Sequence, residues 1–153
     1  MNTNFFNKRL AHILGFAGLI PFIFLSLACW IVHPDWLGTF IKGQLAYGVA
    51  ILSFLGGLHW GAAMTCQQLS IAQTKRALIW GVTPSLIALL AVQLILGLGF
   101  AVLMIGFIAA YQVDKRLYLW YRIPEWFIGL RLKLTSIVVA SLLLTFAAAN
   151  LRA

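Results

Sequence analysis

The chain has 153 residues, of which 63% are hydrophobic and only 9% charged, and its mean hydropathy is +0.98. A water-soluble domain of this size could not hide so much apolar surface, so the composition excludes a soluble globular fold and makes the bilayer the natural solvent. Eleven Lys and Arg against three acids (Asp35, Asp114 and Glu125) give a net charge of +8; the cations flank apolar runs, as topology determinants do, and no nucleic-acid partner is expected.

The first apolar run covers residues 10–32 and follows Lys8 and Arg9. It imitates a signal peptide, but it exceeds the usual h-region of about 7–15 residues and no A-x-A-like site follows. It reads as an uncleaved transmembrane helix, ended by the outer loop "HPDW". A span needs about 20 mostly apolar residues. The second candidate is 43–64, ended by the polar "TCQQLSIAQTKR". Residues 77–112 form one apolar tract of 36 residues, too long for a single helix. Gln93, Gly97 and Gly99 near its middle predict a tight hairpin between helices 77–94 and 97–112. The last span is 131–149. The expected fold is therefore all-α: a polytopic helical bundle of about five transmembrane helices, forming a single membrane domain over residues 1–153.

Counting basic residues orients it. With the N-terminus in the cytoplasm, the inner side carries nine Lys and Arg and the outer side two, Lys42 and Arg152. That bias agrees with an odd number of spans and an outside C-terminus in a multi-pass protein; the cell inner membrane is its expected location. Cys29 and Cys66 fall toward opposite faces, which excludes a disulfide between them. No metal-ligand spacing is present, and neither a metal nor a cofactor is expected.

Residues 113–130 interleave aromatic and basic side chains. Lys115, Arg116, Tyr118, Trp120, Tyr121, Arg122 and Trp126, with Arg131 just beyond, suit the headgroup zone of a membrane. Aromatic rings favour that zone and cations meet anionic lipid there. The segment reads as interfacial, lying on the cytoplasmic leaflet, with anionic headgroups as its partner. A docking surface for a soluble acidic partner is the alternative.

In the second helix, Ala46, Ala50, Ser53, Gly57 and Gly61 fall on one stripe. Small residues let helix backbones approach closely in lipid, so the stripe predicts tight packing against a helix of this chain or of a second copy. His59 lies about 160° away, on a face shared with Gly48, Leu52 and Ala63. Both faces then look protein-covered, which makes this helix central. An ionisable residue inside a span is a functional-site hypothesis by default, against the plainer reading of a histidine satisfied by its surroundings. His12 stands at a similar depth in the first helix, so His12 and His59 are the candidates for a bis-imidazole haem site. Pro21 and Pro84 each kink a span and each follow a glycine by three, as a two-helix repeat would. No Asp, Glu, Lys or Arg falls in the middle of any expected span, and no nucleophile–base set, metal-ligand helix or phosphate loop occurs, so no catalytic residue is assigned.

Three stretches carry a family resemblance: "GLIPF" (18–22), "QLAYGVAILSFLGGLHWG" (44–61) and "PEWFIGLRLKLT" (124–135). They resemble the transmembrane-protein-69-like family, also described as domain of unknown function 3429, with bacterial inner-membrane and eukaryotic mitochondrial members. The resemblance implies a polytopic membrane protein and supplies no reaction, ligand or catalytic residue. The expected function is a non-enzymatic membrane component or assembly and stability factor, acting on other membrane proteins or as a homo-oligomer. A small oligomeric transporter or channel is the alternative, and a membrane redox or haem-binding subunit the second alternative.

Overall fold

The structure, a computed structural model, describes residues 3–152, so residues 1, 2 and 153 of the expected domain lie outside the described residues. Six helices follow one another: α1 (Thr3–Ala17), α2 (Ile20–Ile31), α3 (Pro34–Thr65), α4 (Ile71–Gln93), α5 (Leu96–Trp120) and α6 (Glu125–Leu151). Together α1 and α2 supply one span, and α3 to α6 one each, which gives five segments long and apolar enough to cross a membrane. Many exposed large side chains are apolar, among them Phe24, Phe54, Ile79, Leu86, Ile105 and Leu143. Water would not tolerate such a surface and lipid does.

The elements differ from the sequence expectation mainly at their ends. The first span is broken at Gly18–Leu19, because Pro21 has no N–H and falls in the first turn of α2. The Tyr47 hydroxyl donates to the Gly18 carbonyl at the break, at 2.9 Å. Pro84 instead sits inside an unbroken α4. The shared glycine–proline spacing thus has two outcomes, against a two-helix repeat. Helix α3 starts at Pro34, well before residue 43, with Pro at its first turn and Asp35 favouring its N-terminal dipole. Helix α4 starts at Ile71 rather than 77, because Ser70 and Gln73 form a reciprocal capping box. The hairpin between α4 and α5 falls where expected.

The largest departure is the stretch 113–130, expected as one interfacial segment, most of which is the end of one helix and the start of the next. Helix α5 runs on to Trp120 and α6 begins at Glu125. Only a tight turn separates them. There the Ile123 N–H donates to the Tyr118 carbonyl at 3.1 Å and the Arg122 N–H to that of Leu119 at 3.4 Å. This is a Schellman closure with Arg122 at φ 54, in the left-handed region usually given to glycine.

Alternation of the spans brings the start of α1, the end of α3, the start of α4, the end of α5 and the start of α6 to one end of the bundle. Lys8, Arg9, Lys75, Arg76, Lys115, Arg116, Arg122 and Lys133 gather there. We call it the basic end. At the opposite end the Arg152 guanidinium donates to the Cys29 and Val32 carbonyls, capping the last turn of α2 and tying it to α6.

Helix α3 is the central element and packs on α2, α4, α5 and α6. Phe22, Leu52, Leu103, Phe107, Val138 and Leu142 form the middle of the core. The face of α3 carrying Gly48, Leu52, His59 and Ala63 is buried, as expected. The small-residue stripe is not. Ala46, Ala50, Gly57 and Gly61 are exposed, Ser53 is half-buried, and a side chain placed at Gly57 or Gly61 would touch nothing within 4 Å among the described residues. Close packing uses the adjacent register. A Cβ on Gly56 would run into the Gly81 carbonyl oxygen of α4, and one on Gly81 into the Trp60 indole.

Candidate functional site

Three helices each place one polar side chain in the interior near the basic end. His59 of α3, Asp114 of α5 and Arg131 of α6 each lie six residues inside the basic-end terminus of their helix. At 1.5 Å per residue all three stand about 9 Å deep. Their exposures are 0%, 1% and 5%.

They touch through the carboxylate. Asp114 Oδ1 accepts from His59 Nε2 at 2.7 Å, and Oδ2 accepts from Arg131 Nε at 3.0 Å and Nη2 at 2.6 Å. A carboxylate can only accept, so His59 carries its proton on Nε2. That leaves Nδ1 to accept from the Tyr121 hydroxyl, at 3.3 Å. Tyr118 stacks on the imidazole with ring centroids 5.6 Å apart, and Phe127 meets Tyr118 edge-on. A Tyr–His–Asp–Arg chain results, running from the α5–α6 turn into the bundle. Charges this deep persist only when paired and hydrogen-bonded. Here every member partners another.

The Tyr121 hydroxyl, in the turn outside the spans, responds to this setting. Burial raises it, the Asp114 carboxylate raises it further, and Cys66 adds to both, pushing it up to about 12. A folded value above the usual value of about 10 means that the fold holds the neutral phenol. That contribution to stability is complete below pH ~10 and is lost as pH climbs toward 12. Unfolding midpoints in detergent from pH 9 to 12 are expected to fall more steeply for the wild type than for Tyr121→Phe, which has no phenol to ionise. Parallel curves would refute this coupling.

The sequence-predicted residues divide between interior and surface. Tyr118 is buried and Arg131 is the ion-pair partner of Asp114, so neither meets lipid headgroups. Tyr121 is half-buried beneath His59. Lys115, Arg116 and Arg122 are exposed at the basic end, with Trp120 and Trp126 half-buried beside them. Lys115 lies 5.5 Å from the Tyr111 ring centroid. The two histidines do not form a pair. His12 donates through Nδ1 to the Lys8 carbonyl, 2.8 Å away, and stacks on Trp126, whereas both nitrogens of His59 are engaged elsewhere. Among the described residues no cluster of three or more His, Cys, Asp or Glu is placed to hold a metal. Asp114 is the residue that sequence reasoning missed. The spacing Phe107, Ala110, Asp114, Tyr118 continues the buried face of α5 and was its signal.

Comparison with known proteins agrees with a multi-pass membrane protein. The chain is 34% identical to Transmembrane protein 69 of Xenopus tropicalis over 145 residues, covering 84% of this chain and 50% of the frog protein. It is 27% identical to Transmembrane protein 69 of Mus musculus over 145 residues, covering 88% of this chain and 54% of the mouse protein. The chain thus spans about half the length of these curated relatives. No solved structure matches. The family profile described as "Protein of unknown function (DUF3429)" matches residues 7–147, which takes in four spans whole, most of the fifth and every member of the His59–Asp114–Arg131 set, and the chain belongs to that family.

Proposed function

We propose that the protein is a non-enzymatic multi-pass component of the inner membrane, with its basic end in the cytoplasm, that binds and stabilises other membrane components through that end. The observation that carries this reading is a division of charge. The interior ionisable groups are consumed by one another, while the exposed cations Lys75, Arg76, Lys115, Arg116, Arg122 and Lys133 form no ion pair among the described residues. The cationic surface therefore sits on a rigid support and is free to meet an acidic segment of a partner protein, in addition to the anionic headgroups around it.

A photo-crosslinking residue at Trp120 or Trp126 is expected to capture the same partner protein in mild-detergent extracts. The triple charge reversal of Lys115, Arg116 and Arg122 to Glu should abolish that adduct while the protein stays folded. Capture of lipid alone, or a protein adduct unchanged by the reversal, would count against the reading. A homodimer adduct would replace the unlike partner by a second copy.

A further inference from the structure

A cleft opens between α1 and α3 with α6 as its floor. Its volume is about 180 Å³, and it is lined by Gly15, Gly18, Phe22, Phe54, Phe107 and, on the floor, Arg131 and Thr135. It continues toward the basic end past Ala11, Leu58 and Phe127. The helix break creates it. Beyond Gly18, α2 packs on both α3 and α6, whereas α1 leans on α6. Leu14 and Phe54, both largely exposed, stand at its sides, so it faces the bilayer.

The floor is polar where the walls are not. Thr135 is 5% exposed and its hydroxyl has no hydrogen-bond partner among the described residues. Among the described residues the buried Tyr118 and Thr145 hydroxyls also lack a partner, but of the three only Thr135 lines the cleft; others are satisfied within their own helix. Thr83 bonds the Ile79 carbonyl and Ser136 the Leu132 carbonyl. Leaving a buried hydroxyl unpaired is costly, so the Thr135 group is available to a ligand. Arg131 gives Nε and Nη2 to Asp114, which leaves Nη1 outside that pair. Arg131 and Thr135 are i and i+4 on α6, about one turn apart.

We propose that this cleft binds the head of a lipid-soluble para-quinone, with its tail passing between Leu14 and Phe54 into the bilayer. Four properties select that class. The Arg131 guanidinium only donates and the Thr135 hydroxyl has its proton to give, so the ligand must present acceptors. Arg131 and Asp114 already neutralise each other, so a neutral head fits where an anionic one would leave a net charge. The two donors lie about 9 Å and 15 Å from the start of α6, below the headgroup zone, where a phospholipid's charged head does not go. Finally, three phenylalanine rings line a volume of the size that accepts a six-membered ring, and they favour a planar partner. A quinone carbonyl oxygen has two lone pairs, so one of them can accept from both neighbouring donors on the floor while the para oxygen points away from α6.

The test uses a decyl-substituted benzoquinone added to the full-length protein in nanodiscs of phosphatidylcholine, read by equilibrium binding and by thermal shift. Saturable binding of one quinone per chain is expected. Thr135→Val, nearly isosteric, should weaken it about fivefold. Gly15→Leu, which fills the cleft, should abolish it, and Leu89→Ala on the outer face of α4 should leave it unchanged. The Thr135→Val arm keeps the test decisive if Gly15→Leu misfolds. Non-saturable partitioning equal in all variants overturns the proposal. So does a stoichiometric phospholipid, lost in Gly15→Leu, that quinone does not displace.

Discussion

Asp114→Ala is expected to destabilise the protein by about 3–5 kcal/mol, the loss typical of removing one partner from a buried ion pair. The effect comes from what is left behind. Without the carboxylate, the Arg131 guanidinium and the His59 Nε2–H remain in the interior with no acceptor. The measurement is unfolding in mixed micelles, by titrating a denaturing detergent and following far-UV circular dichroism. Asp114→Leu combined with Arg131→Met and His59→Leu should recover most of the loss, because well-packed apolar replacements of buried ion pairs are close to neutral. The three losses should also be strongly non-additive, since each residue's partner is in the set. A loss below about 1 kcal/mol for Asp114→Ala would show that water or movement relieves the unpaired charges and that the set is not what fixes α3, α5 and α6 together.

The same set shows where reading the sequence stops. The spans were legible because lipid imposes a simple demand, about 20 apolar residues per crossing, and the hairpin near residue 95 followed from the length of the tract together with Gln93, Gly97 and Gly99. The buried face of α3 was legible too, since Gly48, Leu52, His59 and Ala63 share one side at helical spacing. The carboxylate was not. Asp114 stands next to Lys115 and Arg116, and a run of charges ordinarily marks the exit from the membrane. Its burial depends on Arg131 from another helix, a tertiary fact that hydropathy averaged along one helix cannot carry. Two local signals were nevertheless present. The pattern Phe107, Ala110, Asp114, Tyr118 keeps the inner face of α5 running past residue 112, and the Ser70–Gln73 pair announces the true start of α4.

Gly56→Ala is expected to be far more damaging than Gly57→Ala or Gly61→Ala, although a G-x-x-x-G motif names the latter two. The Gly56 backbone faces the Gly81 carbonyl so closely that even a methyl group has no room, and the obstacle is backbone rather than a flexible side chain. Helices α3 and α4 would have to separate, at a cost of about 1–3 kcal/mol or more for overpacking. Separation would also strain the bond from the Trp60 indole N–H to the Leu78 carbonyl, 3.0 Å long, which closes the same contact. Alanine at 57 or 61 meets nothing within 4 Å among the described residues and replaces a poor helix former by a good one, so its effect on the isolated protein should be within about 0.5 kcal/mol or slightly stabilising. Thermal unfolding in detergent checks both halves of the contrast. The physical reason is that small residues are permissive in lipid on either side. Glycine can admit a neighbouring backbone, or it can simply face acyl chains at little cost. Only the partner's register, here Gly81 on α4, decides which of two adjacent glycines carries the contact. If Gly57→Leu leaves folding intact but changes the oligomeric state in nanodiscs, the outward stripe serves a second copy. If neither changes, that stripe is a lipid-facing surface and the packing of α3 rests on the Gly56 register alone.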